Sequence, residues 1–236
     1  MITKDKLPEF IRTTLGEDNL KRPGGVLYSS HETLREGVAY IVGFNPGGEP
    51  SDNTADDPTV GGSVDKLLEY KCNAYLDEDW GNGARFRRSV ECIAEQLGLQ
   101  LRDICASNLV FFQSRNAEGV RPEDAKLCWP VHDAILQIVK PRIIIALGYS
   151  EATDSSSSFK FFHAKFAGSE IKRETLEQSG KEYCFAKRFD ATIHGSKVVV
   201  AGLPHPTGQF THWIDSPDIK AEIEAWLKGL KKIVNP

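Results

Sequence analysis

The sequence predicts a three-layer α/β/α domain built on a parallel sheet, and three observations predict it. Four short apolar runs, rich in β-branched or aromatic residues and with little apolar/polar alternation, have the character of strands buried on both faces. Segments whose apolar residues recur at helical spacing lie between them. The resulting order, strand, helix, strand, helix, strand, mixed segment, strand, helix, is that of a parallel sheet covered on both sides. At roughly 100–200 residues per domain, residues 1–236 read as one domain.

Taken along the chain, Lys6 to Leu15 reads as an opening helix. Val38 to Phe44 (VAYIVGF) is the first strand. From Arg85 to Leu97 the residues Phe86, Val90, Ile93, Ala94 and Leu97 share one helical face, and Gly98 stops the helix. Cys105 to Phe112 (CASNLVFF) is the second strand. From Pro122 to Val139 the apolar face is Ala125, Cys128, Trp129, His132, Ile135, Leu136 and Val139. Pro122 suits a first helical turn, and Pro141 prevents continuation. Arg142 to Leu147 (RIIIAL) is the third strand. Asp154 to Ser158 (DSSSS) reads as a loop, and between Phe159 and Ala191 no single period dominates. Within that stretch Tyr183 to Phe189 suits one added edge strand. Lys197 to Leu203 (KVVVAGL) is the fourth strand, and Pro217 to Ile233 a closing helix.

Composition narrows the function classes. The 29 Lys and Arg against 33 Asp and Glu give a net charge of −4, which argues against a protein that coats nucleic acid non-specifically. Five cysteines, Cys72, Cys92, Cys105, Cys128 and Cys184, are an odd number without a C-x-x-C pair, so neither a disulfide framework nor a zinc or iron–sulfur site is expected. No window approaches the roughly 18 apolar residues of a membrane span, and the start MITKDKLPEF lacks the layout of a secretory signal. A cytoplasmic protein without metal or other cofactor is the expectation.

In open α/β sheets ligands bind beyond the carboxyl ends of the strands, so the loops there are where chemistry is sought. The first strand runs into Gly43-Phe44-Asn45-Pro46-Gly47-Gly48 and then the acidic residues Glu49, Asp52, Asp56 and Asp57. The second carries Ser107-Asn108 and leads to Gln113-Ser114-Arg115-Asn116, and the third ends at Gly148-Tyr149. The fourth ends in Pro204-His205-Pro206-Thr207-Gly208-Gln209-Phe210. Polar residues thus converge at one end of an otherwise apolar sheet.

These loops, in this order, resemble those of the uracil-DNA glycosylase superfamily. The first is similar to the G-x-N-P-G motif of its mismatch-specific and single-strand-selective branches, and the last to their H-P-S/T motif. Between them, SNLVFFQSR is similar to the strand carrying the base-reading Asn, and RPEDAKLCWPVHDAILQIVKPRIIIALG to the helix before the third strand. The likeness runs from about Val38 to Phe210. It implies a four-stranded parallel sheet with flanking helices, and metal-free cleavage of the N-glycosidic bond of uracil or a related deaminated base flipped out of DNA.

Residue chemistry suits the roles that the resemblance implies. Asn45 orients a water through its amide oxygen, and His205 donates a hydrogen bond to the base as negative charge grows there; these are the two catalytic candidates. Gly43, Phe44, Pro46, Gly47 and Asn108 are the base-binding candidates, Asn108 because its donor and acceptor match the N3–H and O4 edge of uracil. Thr207, Gly208, Gln209 and Phe210 are placed for DNA contact, with Gln209 or Phe210 as the wedge. The family carries a base-stacking aromatic about a dozen residues after its first motif. Here that zone reads Asp57-Pro58-Thr59-Val60, and Tyr70, Tyr75, Trp80 or Phe86 are the substitutes.

Plainer roles stand beside these. Asn-Pro-Gly after a strand is also a common turn, Asn108 also suits satisfying buried backbone groups, and Arg85, Arg87 and Arg88 suit a solvated helix face as well as phosphates. His132 and Cys128 lie on an apolar helix face and read as packing residues. One alternative function is a catalytically inactive nucleic-acid or nucleotide-binding protein on the same fold; another is a different nucleotide-processing enzyme with Glu49 or Asp52 as general base.

Overall fold

A computed structural model describes residues 2–47, 58–78, 83–149, 157–166, 169–178, 181–206 and 213–234. Helix α1 (Leu7–Leu15) has Pro8 in its first turn and buries Leu7, Ile11 and Leu15, one residue per turn on one face. Gly16, at φ +74°, breaks it from the single turn α2 (Glu17–Leu20). Strand β1 (Ala39–Gly43) is buried along its whole length. Two short helices follow, α3 (Val60–Asp65) and α4 (Ala74–Asp77), capped by the side chains of Thr59 and Asn73.

Helix α5 (Gly83–Leu97) buries Val90, Ile93, Ala94 and Leu97 and leads into β2 (Cys105–Asn108). Helix α6 (Pro122–Val139) runs through the internal Pro130 and ends at Lys140, whose left-handed backbone turns the chain into β3 (Ile143–Leu147). Helix α7 (Ser158–Phe166), strands β4 (Lys172–Gln178), β5 (Lys181–Ile193) and β6 (Ser196–Leu203), and helix α8 (Pro217–Val234) complete the order.

One six-stranded sheet has the order β2-β1-β3-β6-β5-β4. The four sequence-predicted strands pair in parallel, with Val42 beside Ser107 and Ala146, and Ala146 beside Gly202. Strands β5 and β4 then add on antiparallel. The expected four-stranded parallel sheet with one added strand is therefore corrected to a mixed sheet with two. Strand β4, KRETLEQ, escaped notice because an edge strand has few apolar positions and this one is mostly charged. Strand β2 is also shorter than the apolar run containing it: it ends at Asn108, and Leu109–Phe112 continue as buried irregular chain.

Alternate strand residues fill two cores. On one face Tyr40, Val42, Ile144, Ala146 and Val200 pack with residues of α1, α6 and α7; on the other Ile41, Ile145, Leu147, Ala201 and Leu203 pack with α5 and α8. Burial of both faces explains the lack of alternation in the sequence, since each such aliphatic side chain contributes about 1.5–3 kcal/mol when fully buried. His132 is among the buried residues of α6. Its Nε2 lies 3.0 Å from the Leu109 carbonyl, which only accepts, so Nε2 carries the proton and Nδ1 accepts from the Tyr40 hydroxyl at 2.8 Å. Cys128 is likewise fully buried.

Candidate functional site

Parallel pairing puts the ends of β1, β2, β3 and β6 on one edge. Gly43 lies beside Asn108, and Leu147 beside Leu203, one residue beyond the Val42–Ala146–Gly202 row. The chain after β1 does not leave this edge at once. Gly43 and Phe44 carbonyls accept from the Leu109 and Val110 N–H groups at 3.0 and 2.9 Å, and the Pro46 carbonyl accepts from Ser114 N–H at 3.0 Å. The first motif is thereby laced to the segment that follows β2.

Asn45 lies inside this lacing. Its Nδ2 donates to the Pro46 carbonyl at 2.8 Å and to the Ser114 carbonyl at 3.1 Å. Carbonyl oxygens only accept, so the amide nitrogen must occupy this position and the orientation of the side chain is determined. Both N–H bonds are used by the protein, and what Asn45 offers to a ligand is its oxygen.

Asn108 is buried at the end of β2. Its Oδ1 stands only 2.1 Å from where a Cβ on Gly43 would be, so glycine is required at position 43. The Tyr28 phenol lies near the Asn108 amide. Tyr28 stacks on Tyr75 with centroids 6.4 Å apart, Tyr75 meets Phe86 at 5.2 Å, and Phe86 meets the His205 ring at 5.9 Å. A line of four rings thus connects Asn108 to His205 on the α5 and α8 face of the sheet. Burial raises the phenol pKa of Tyr28 and of Tyr75, so both are neutral hydroxyls.

His205 follows Pro204 beyond β6 and rests against Gly148, where a Cβ would come within 3.5 Å of the His205 Cβ. Gly148 has φ +92°. The residue is solvent-exposed overall, yet the protein crowding its ring desolvates it and lowers its pKa below the ordinary imidazole value. At neutral pH the ring is uncharged and has one N–H to donate.

The structure thus brings Gly43, Phe44, Asn45, Pro46, Gly47, Asn108 and His205 to one end of the sheet. Within that set Phe44 is half-buried, with its ring packed against the core on the α1 and α6 side. Thr207, Gly208, Gln209 and Phe210 lie outside the described residues, as do Gly48, Glu49, Asp52, Asp56, Asp57 and Trp80. Of the substitute aromatics, Tyr75 is buried and Tyr70 is turned to Glu78 at 3.2 Å, whereas Phe86 is half-buried beside His205. Sequence reasoning missed Tyr28. It sits in an irregular stretch, GGVLYSS, with no periodic signal, and only the fold places it beside β2.

Nearby cations are engaged within the protein. Arg85 and Arg88 both bond Asp215 at 2.7 Å, and Arg87 bonds Glu91 at 3.0 Å. Two grooves lie away from the carboxyl edge, one between α5 and the chain from Ile214 into α8, the other at the amino ends of β1 and β2. Among the described residues no three His, Cys, Asp or Glu side chains gather as a metal site, and no helix is long and apolar enough to cross a membrane. No protein-family model matches the chain, and no curated protein matches it significantly.

Proposed function

We propose that this chain hydrolyses the N-glycosidic bond of uracil, or of a related deaminated base, flipped out of DNA. The observation that supports this best is the polarity of Asn45. With both amide N–H bonds tied to the Pro46 and Ser114 carbonyls, its oxygen is the end left to orient a water at the carboxyl edge. Asn108 and His205 lie on the same edge, joined through the Tyr28, Tyr75 and Phe86 rings.

The chemistry follows from what each group does. As the bond between C1′ and the base nitrogen stretches, its electron pair moves onto the base and positive charge builds on the sugar. The water held by Asn45 adds to C1′ and releases a proton to solvent; Asn45 positions it but is too weak a base to take that proton. His205, uncharged at neutral pH, donates to the base as it becomes an anion, a bond that strengthens along the reaction. Asn108 reads the base edge, and Phe86 supplies an apolar wall beside His205.

Incubating the protein with a single-stranded oligonucleotide containing one uracil, followed by alkali, tests the reading. Strand scission at the uracil is the expected result. Retention of the oligonucleotide without scission is the result that replaces this reading with that of an inactive binding protein on the same fold.

A further inference from the structure

We propose that β4 is a dimerisation edge, on which two copies of the chain pair their β4 strands antiparallel about Thr175 and so join two six-stranded sheets into one. Strand β4 is last in the sheet order β2-β1-β3-β6-β5-β4, and among the described residues no strand or bridge pairs with its outer side. Such an edge is a template for a further strand, because it presents a row of backbone N–H and C=O groups. The sequence of β4, KRETLEQ, narrows what that strand can be.

Leu176 packs with the core on the α5 and α8 side, so Lys172, Glu174 and Leu176 share that face and Arg173, Thr175 and Glu177 share the other. The register shift between Glu174 and Thr175 leaves this alternation intact, because the extra residue, Phe185, belongs to β5: Ala186 stands opposite Glu174, and Cys184 opposite Thr175. Arg173, Thr175 and Glu177 are all exposed. Within the chain, β5 sets a like charge opposite each of the two charged ones, Lys187 opposite Arg173 and Glu182 opposite Glu177. Like charges directly opposite each other destabilise a ladder.

A second copy running antiparallel supplies the opposite sign at both places. With Thr175 on the two-fold axis, Arg173 lies opposite the partner's Glu177, Glu177 opposite the partner's Arg173, and Thr175 opposite its own counterpart. One row across the junction then reads Lys187, Arg173, Glu177, Glu182, two basic residues meeting two acidic ones, and the symmetry repeats it in reverse. On the other face Glu174 meets Leu176. Opposite charges and Thr–Thr are pairs that stabilise antiparallel strands. Other centres do worse: any charged residue on the axis faces its own copy, and Leu176 on the axis sets Glu177 against Thr175 and leaves Arg173 with no residue of β4 opposite it. Charges ordinarily close a sheet edge to indiscriminate pairing. Here their order admits an inverted copy of the same strand.

Analytical ultracentrifugation of the full chain over a concentration series tests this, with Arg173→Glu and Glu177→Arg as variants. The wild type is expected to form a dimer in reversible equilibrium with monomer. Each single variant turns two symmetry-related attractions into repulsions and is expected to weaken association by about a hundredfold, about tenfold or 1.4 kcal/mol for each pair. Mixed in equal amounts, the two variants are expected to associate again, because a strand with two acidic residues then faces one with two basic residues in the same register. The double variant Arg173→Glu/Glu177→Arg restores the pairs in exchanged order and is expected to dimerise like the wild type. A wild type that stays monomeric throughout, or a dimer that both single variants leave unchanged, overturns the proposal. A mixture of the single variants that stays monomeric overturns it as well, since their loss of association then reflects damage to β4 and not its charge order. None of these outcomes bears on the glycosidic reading, which strand scission tests separately.

Discussion

Gly43→Ala is the substitution for which the structure gives the most direct expectation. The new methyl carbon would stand 2.1 Å from Asn108 Oδ1 and 3.2 Å from its Cγ, against ordinary van der Waals contact of about 3.4–4 Å. The oxygen must therefore retreat by more than an ångström. Asn108 is buried beside β1, so the retreat either turns the amide away from Gly43 or spreads β1 from β2. Overpacking of this kind costs about 1–3 kcal/mol, and a displacement of about 1 Å in a positioning group lowers turnover by about 10²-fold. Thermal melting and single-turnover cleavage of a uracil oligonucleotide measure the two effects. At position 47 a Cβ meets nothing within 4 Å, so Gly47→Ala is the comparison for stability, expected within about 0.5 kcal/mol of wild type. A Gly43→Ala protein that melts and cleaves like wild type would refute the placement of Asn108 against Gly43 and the role derived from it.

Three further expectations follow from the same geometry. Asn45→Ala should lower turnover while leaving affinity for an abasic product nearly unchanged, because the water loses its orientation but the base contacts remain; normal turnover removes Asn45 from the mechanism. His205→Ala should depress single-turnover cleavage by about 10²–10³, roughly 2.7–4 kcal/mol, with a smaller change in binding, and a variant that cleaves normally returns His205 to a turn residue. His132 governs stability instead. Burial lowers its pKa from 6.5 to about 4, so between those values the unfolded chain binds the extra proton and stability falls as the pH drops. The full stabilisation is present above pH 6.5 and about 3 kcal/mol of it is lost on reaching pH 4. Denaturant melts at pH 7 and pH 4.5 should show this loss in the wild type and its absence in His132→Phe; equal slopes in the two proteins contradict it.

The four parallel strands were legible because burial on both faces leaves an apolar run that no other short element requires, and the loops after them carried the polar residues that converge at one edge. The pairing of Gly43 with Asn108 was not legible. Sixty-odd residues separate the two positions, and only parallel register makes the absence of a side chain at one a requirement of the other. The same holds for β4, whose charged, solvated sequence gives no periodic signal until β5 supplies the neighbour it pairs with.

By itself, then, the sequence determined what local composition and period can encode: the α/β class, the four central strands, α5 and α6, the packing character of His132, and Asn45, Asn108 and His205 as candidates. Tertiary structure decided which way those groups face. The Pro46 and Ser114 carbonyls orient Asn45, the Asn108 oxygen stands against Gly43, and Gly148 and Phe86 flank His205. The reason is physical: a side-chain amide is nearly symmetric in shape and takes its direction only from its hydrogen-bond partners, and here one of those that orient Asn45, the Ser114 carbonyl, arrives from a distant part of the chain.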